Sequence, residues 1–159
     1  MGDIYANSSI KIEVTNDLDK VKSIIFHPEI INMHSIFNNI DLEIIEKELL
    51  DDKKYYHIMY VDNSIAGISI YLRFTDYKDS PDVYVADVGI LKKYRGKTGL
   101  ELEKLSLYIL YNSLNVLKVM CAINKNNDGA ICFAKKLGFK IIDSQQEYLL
   151  LEVKNEWNT

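Results

Sequence analysis

Cysteine and proline are both scarce in this sequence, each occurring twice in 159 residues. Two cysteines are too few for a disulfide framework, and Cys121 and Cys132 are too far apart for a CxxC redox or zinc motif. Both lie in apolar stretches, which predicts buried free thiols. Such thiols suit a reducing compartment, so we expect a cytoplasmic location. The three histidines show no metal-ligand spacing, and we expect no metal site.

Long apolar runs and an excess of positive charge are also missing. No stretch approaches the roughly 18 apolar residues that span a membrane, and residues 1–11 lack the basic and apolar regions of a signal peptide. The formal net charge is −4, which argues against a general nucleic-acid-binding protein because such proteins need Lys and Arg to displace counterions. There is no low-complexity linker, and the length predicts one domain over residues 1–159.

The apolar residues follow strand and helix periods in turn. Strands are predicted at residues 10–15, 55–61, 65–74, 83–91, 116–123, 139–142 and 148–153. Helices are predicted from Asn16 or Asp17 to about residue 27, from Asp41 onward, at residues 99–114 and at residues 130–137, with Gly138 closing the last; a polar loop is predicted at residues 76–82. The order β-α-α-β-β-β-α-β-α-β-β predicts an α/β fold in which a mixed sheet has helices on its faces and strand 83–91 is central.

A strand, a basic turn with glycine and a long helix follow one another between residues 85 and 105. The turn carries four cations, at Lys92, Lys93, Arg95 and Lys97. A helix N-terminus offers unpaired N–H groups and a partial positive charge, and glycine lets the backbone approach an anion closely. The pattern therefore predicts a phosphate or diphosphate site, although a solvated basic turn would have the same composition. The Walker GxxxxGK[ST] and the GxGxxG patterns are absent.

Two stretches match a known family in the order that the family has them. The sequence LKKYRGK at residues 91–97 resembles the acyl-CoA-binding motif of the GNAT acetyltransferase superfamily, (Q/R)xxGx(G/A) between a strand and a helix, with Thr98 and Leu100 at the motif's glycine positions. The sequence NDGAICFAKKLGF at residues 127–139 resembles the family's later N-x-x-A…K-x-GF motif. The first stretch is most similar to the divergent version in phage-encoded members. The resemblance implies a GNAT-type fold, with a central, mostly antiparallel sheet flanked by helices, and acetyl-CoA as co-substrate.

The resemblance also implies which residues bind the cofactor. Backbone groups at Ile90 and Leu91, where the strand splays from its neighbour, would meet the pantetheine arm. Asn127 would lie near the pantetheine or adenine end. The diphosphate would be held by Arg95, Gly96, Lys97, Thr98 and Gly99.

Acetyl transfer to an amine requires that the nitrogen lose a proton and that the leaving thiolate gain one. Many members of the resembled family supply the second proton from a Tyr on the later helix. The matching position here is Ala134, next to Phe133, and neither side chain can donate a proton.

Asp87 and Tyr84, in the strand that would meet the cofactor, are our candidate catalytic residues. Asp87 could equally face solvent or pair with a lysine, and Tyr84 could simply pack. Glu101 and Glu103 are explained by the start of the long helix, which favours negative charge.

We expect an acetyl-CoA-dependent N-acetyltransferase that acts on an amine, either a protein Lys or N-terminus or a small molecule, as a monomer or homodimer. The alternative is a protein of the same fold, such as a virus-encoded one, that binds a protein partner without turnover. Ala134 favours the alternative, and the run YRGK at residues 94–97 favours the enzyme. The acceptor pocket would be built from about residues 26–50, which carry no motif.

Overall fold

The computed structural model describes residues 3–5, 9–31, 54–74 and 82–156. Its strands are β1 (Asp3–Tyr5), β2 (Ile10–Thr15), β3 (Lys54–Val61), β4 (Ser64–Phe74), β5 (Asp82–Ile90), β6 (Val116–Asn124), β7 (Lys140–Ser144) and β8 (Tyr148–Lys154). Its helices are α1 (Leu18–Ile25), α2 (Pro28–Ile31), α3 (Lys97–Ser113) and α4 (Asp128–Lys136), and a short 3₁₀ helix (Lys92–Tyr94) precedes α3. The helix predicted from Asp41 and residues 76–81 of the predicted loop lie outside the described residues, whereas Asp82, predicted in that loop, begins β5.

These eight strands form one sheet in the order β1-β2-β3-β4-β5-β6-β8-β7. Neighbouring strands are antiparallel except β5 and β6, which are parallel because α3 carries the chain back between them. β5 therefore lies inside the sheet, as its apolar sequence predicted. The mixed sheet confirms the predicted fold class.

Helix α1 covers one face of this sheet. Asp17 caps it, since the carboxylate accepts a hydrogen bond from the backbone N–H of Lys20 at 3.3 Å. The apolar side of the helix is buried against β3 and β4. The chain then turns, and α2, which was not predicted, begins at Pro28; proline suits a first helical position because it lacks an N–H.

Helix α3 covers the opposite face, where Leu102, Leu107 and Leu110 are buried. It begins at Lys97, two residues earlier than predicted. The residue before it, Gly96, has φ 96° and ψ −138°, a conformation that residues with a Cβ rarely adopt. This glycine lets the turn run directly into the helix.

The remaining predictions differ from the structure at the ends of the chain and of the elements. Strand β1 was missed because three residues are too few to show an alternating pattern, although it pairs with β2 from Asp3↔Glu13 to Tyr5↔Lys11. Gly138 follows α4 with φ 98°, as predicted.

None of the helices in the described ranges has the length and apolar character needed to cross a membrane.

Candidate functional site

Strands β5 and β6 separate partway along their length. Their ladder runs only from Asp82↔Val116 to Val85↔Met120. Beyond that point β5 stays paired with β4 as far as Ile90, and β6 stays paired with β8 as far as Asn124. The sheet therefore opens between two strands that each stay paired with their other neighbour, and the resemblance implied this splay of β5.

A cavity of about 510 Å³ occupies this opening. Both strand segments line it, with residues 86–88 and 90 of β5 on one side and residues 121–124 of β6 on the other. Helix α3 backs the opening and contributes Leu100 and Glu103, and α4 covers it with residues that include Asn127, at its N-cap, and Ala134. Two strands and two helices thus enclose a space of the size that small-molecule sites have.

The basic turn lies at one end of the cavity, where Arg95 and Gly96 line it. The Arg95 guanidinium is fixed by its Nε, which donates to the Ile90 carbonyl at 3.0 Å. Helices α1 and α4 have side-chain caps, from Asp17 and Asn127, but no side chain of the described residues caps α3. Within the described part of the chain, the first-turn N–H groups of α3 therefore have no side-chain acceptor and can donate to an anion.

Hydrogen bonds hold the strand end that leads into this turn. The N–H of Leu91 donates to the Ala66 carbonyl at 2.8 Å, and its carbonyl accepts from the Tyr94 N–H at 2.9 Å. One strand over, a Cβ added to Gly67 would lie 2.4 Å from the Gly89 carbonyl oxygen, so only glycine permits this approach of β4 to β5. Both backbone groups of Leu91 are engaged within the protein.

The structure brings together half of the predicted cofactor-binding residues at the cavity. Ile90, Arg95, Gly96 and Asn127 line it. Leu91 packs instead beside the core under α1 and α2, while Lys97, Thr98 and Gly99 form the first turn of α3 next to the cavity wall.

The two candidate catalytic residues differ in position. Asp87 is half-buried and lines the cavity; it pairs with Ile70 in the ladder, so its side chain lies on the α1 face of the sheet. Tyr84 is 1% exposed, packs edge-on against Tyr55 with ring centroids 5.9 Å apart, and is not part of the cavity lining. Burial raises the pKa of Tyr84 to about 12.

A carboxyl group that sequence reasoning assigned to the start of a helix lies at this site. Glu103 is 1% exposed, lines the cavity, and accepts hydrogen bonds from the hydroxyls of Ser69 and Tyr71, the latter at 2.7 Å. Burial raises its pKa to about 7, against the opposing effect of these two donors. The helical spacing of the apolar residues Leu102 and Leu110 places position 103 near the buried side of the helix, which signals burial but does not identify a site.

The thiols also depart from expectation. Cys121 is half-buried, but Cys132 is exposed on α4, so the prediction that both are buried is wrong for Cys132. Both are free. Cys132 is exposed because the apolar stretch around it forms an amphipathic helix whose buried side includes Ala134, and its side chain lines the cavity.

Several solved structures share this fold. N-acetyltransferase PseH from Campylobacter jejuni, in complex with acetyl coenzyme A, is 18% identical and superposes with a TM-score of 0.66 over 92% of this chain and 99% of that one. Spermidine N-acetyltransferase from Vibrio cholerae, in complex with CoA and spermine, is 13% identical, with a TM-score of 0.71 over 93% and 96%. Ribosomal-protein-S5-alanine acetyltransferase from Vibrio fischeri is 14% identical, with a TM-score of 0.66 over 98% of both chains. At these identities the likeness establishes the fold.

The family is established by sequence. No curated protein matches the chain. Residues 24–139, however, match the model of the acetyltransferase (GNAT) family. Because this match covers well over half of the 159 residues, the chain belongs to the acetyltransferase (GNAT) family, whose enzymes use acetyl-CoA as co-substrate.

Proposed function

We propose that this protein transfers the acetyl group of acetyl-CoA to an amine and that acetyl-CoA binds in the opening between β5 and β6. The observation that carries the proposal is the early end of the β5–β6 ladder at Val85↔Met120. It leaves a cavity bordered by a strand edge of β5 that has no ladder partner in β6 beyond Val85. A chain of amides such as a pantetheine arm can pair with an edge of this kind.

The proposed diphosphate site is the turn at the end of β5. The Arg95 guanidinium, the Gly96 backbone and the uncapped first turn of α3, residues 97–99, together offer positive charge and N–H donors at one end of the cavity. This arrangement supports the predicted roles of Arg95, Gly96, Lys97, Thr98 and Gly99. The N–H of Leu91 is already bonded to Ala66, so the proposed contact of Leu91 with the pantetheine arm would use its carbonyl oxygen, which can accept a second hydrogen bond.

Membership of the acetyltransferase (GNAT) family indicates that the acceptor group is an amine. Among the similar structures, the spermidine N-acetyltransferase is in complex with spermine, and the protein from Vibrio fischeri is a ribosomal-protein-S5-alanine acetyltransferase. We therefore propose that a polyamine, a peptide N-terminus and a lysine-containing peptide are the acceptors to test first. Other features stay predictions: one domain over residues 1–159, a cytoplasmic location, a monomeric or homodimeric state, and the phage-like character of the motif.

Acetyl-CoA should raise the melting temperature of the protein. At 100 times Kd a ligand adds about 2.7 kcal/mol to the free energy of unfolding, which corresponds to roughly 5–10 °C for a chain of this size. Differential scanning fluorimetry with acetyl-CoA measures this shift.

Arg95→Ala should reduce the shift, and Lys104→Ala is its matched control. Lys104 is an exposed cation on α3 outside the cavity, so its loss changes the net charge equally without touching the site. An undiminished shift for Arg95→Ala would show that the diphosphate binds elsewhere. No shift at millimolar acetyl-CoA would remove the proposed function.

A further inference from the structure

Glu103 reaches the cavity from behind the sheet. It lies on α3, and the separation of β5 from β6 beyond Val85 removes the strand pair that would otherwise cover this part of the helix. Its side chain is 1% exposed, yet it is part of the cavity wall. A carboxyl group in such a position costs free energy unless it is hydrogen-bonded.

Each carboxylate oxygen of Glu103 has a donor from β4. The Ser69 hydroxyl donates to Oε2, and the Tyr71 hydroxyl donates to Oε1 at 2.7 Å. The two donors lie two residues apart, so they share the α3 face of the strand. The bonds continue from Tyr71 Oη to Ser106 Oγ at 2.8 Å and from Ser106 Oγ to His57 Nδ1 at 2.8 Å.

The donor and acceptor in each of these bonds follow from the chemistry of the groups. An ionised carboxylate only accepts, so Tyr71 must donate to Glu103. The hydroxyl of Tyr71 has one hydrogen, so Ser106 donates to Tyr71, and by the same count His57 donates from Nδ1 to Ser106. Burial lowers the pKa of His57 to about 4, which keeps the ring neutral, so with Nδ1 as the donor to Ser106 the other ring nitrogen carries no proton. When Glu103 is ionised, Tyr71, Ser106 and His57 therefore each donate toward the carboxylate.

Several titratable or charged groups surround this carboxyl. They are His57 of β3, Tyr71 of β4, Asp87 of β5, Cys121 of β6 and Tyr111 of α3, and, among the other cavity-lining residues, Arg95, Cys132, Lys136 and Tyr148. Burial raises the pKa of Tyr71 and brings those of Tyr111 and Cys121 to about 12, with the charge on Glu103 contributing in each case. Burial raises the pKa of Glu103 to about 7, so this carboxyl gains and loses a proton near neutral pH.

We propose that Glu103 is the catalytic carboxylate of this protein, taking a proton from the attacking amine and returning it to the departing thiolate. The proposal rests on the proposed function. It assigns to α3 the proton transfer that Ala134 on α4 cannot perform, and it replaces Asp87, whose side chain lies on the other face of the sheet.

The step is balanced within one turnover. The neutral amine nitrogen attacks the thioester carbonyl carbon and forms the C–N bond, and one N–H proton passes to Glu103. The tetrahedral intermediate then collapses, the C–S bond breaks with its electron pair on sulfur, and the proton passes from Glu103 to that sulfur. The products are the acetylated amine and CoA thiol, and Glu103 is again a carboxylate.

Glu103→Gln tests the proposal, with Glu101→Gln as its control. Glu101 is exposed on the same helix, two residues earlier. We expect Glu103→Gln to lower kcat for CoA release about 100-fold or more with spermidine, an N-terminal alanine peptide or a lysine peptide as acceptor. The thermal shift with acetyl-CoA should be retained. The rise of kcat with pH near 7 should vanish in Glu103→Gln and persist in Glu101→Gln.

Ser69→Ala supplies a readout that a purely structural role would not change. It removes one donor to the carboxylate, which raises the pKa of Glu103 and should move the rising limb of the kcat profile to higher pH. Equal kcat and pH profiles for wild type and Glu103→Gln would overturn the role of Glu103 alone, as would a loss confined to Asp87→Asn. A protein that binds acetyl-CoA but releases no CoA with any of the three amines would overturn both the transferase activity and this role, whereas absence of the thermal shift would remove the cofactor site itself.

Discussion

The two cysteines show how strongly position decides the chemistry of a side chain. Cys121 lies in β6, where burial together with the charges of Glu103 and Asp87 raises the pKa of its thiol to about 12. Cys132 is exposed on α4 beside the same cavity. Because the thiolate is the reactive form, alkylation should discriminate between them.

Iodoacetamide should modify Cys132 much faster than Cys121. Saturating acetyl-CoA should slow the modification of Cys132, since the proposed cofactor lies in the cavity that this residue lines. Mass spectrometry of digests from timed reactions measures both rates, and Cys132→Ser checks the assignment. An unchanged rate at Cys132 in the presence of bound cofactor would place acetyl-CoA outside this cavity.

Glu103 was not recognisable as a site residue from the sequence. Its position in the first turns of a helix offered a sufficient electrostatic explanation. What distinguishes it is that Ser69 and Tyr71, more than 30 positions away, donate to it, and that the strand pair in front of it has opened. Pairings of this kind depend on strand register, which the spacing of single residues does not report.

At the scale of elements, two helices have side-chain caps of the same kind, and one of these caps lies at the cavity while the other does not. Asp17 and Asn127 each cap a helix by accepting a backbone N–H three residues ahead, at 3.3 Å and 3.1 Å. Asn127 lies at the cavity, whereas Asp17 belongs to α1 on the other side of the molecule's core and is outside the cavity lining. The pair therefore allows one interaction to be tested in two locations.

Asn127→Ala and Asp17→Ala should each lower the free energy of unfolding by about 1 kcal/mol, because each leaves a first-turn N–H without its cap. Acetyl-CoA affinity should fall only in Asn127→Ala if this residue contacts the cofactor. Urea unfolding and isothermal titration calorimetry measure the two effects. Equal affinities in the two variants would restrict Asn127 to a capping role.

Element types followed well from the sequence, and their boundaries followed less well. The caps at Asp17 and Gly138 use residues with strong positional preferences, and both were predicted. Helix α3 starts at an unusual glycine conformation instead of a polar cap, so its first two residues were taken for the turn. Strand β1 gains its structure from pairing with β2, which no local pattern records.

At the scale of the whole molecule, two buried groups give the free energy of unfolding opposite dependences on pH. The pKa of His57 is lowered from 6.5 to about 4. The free energy of unfolding is therefore not reduced by His57 above pH 6.5, and it falls as the pH decreases toward 4. Glu103 has its pKa raised from 4.5 to about 7, so the folded state binds the extra proton between these values and stability falls as the pH rises through them.

Replacement of Glu103 should therefore become more stabilising as the pH rises. The difference in free energy of unfolding between Glu103→Gln and wild type should grow from pH 4.5 to pH 8 by on the order of 3 kcal/mol, the equivalent of the pKa change. Urea unfolding at a series of pH values measures it, with Glu101→Gln as the variant that should show no such trend. A difference that shrinks with rising pH would contradict the buried, proton-exchanging carboxyl.

One helix connects the two halves of the proposed reaction. The turn at the start of α3 and Glu103 are six residues apart, an axial rise of about 9 Å. An α-helix that is buried along one side is stiff. The proposed diphosphate site at the start of α3 and the Glu103 carboxyl are therefore held at a fixed distance. In the proposed reaction, binding of the diphosphate at the start of α3 would therefore fix the distance between the thioester and Glu103.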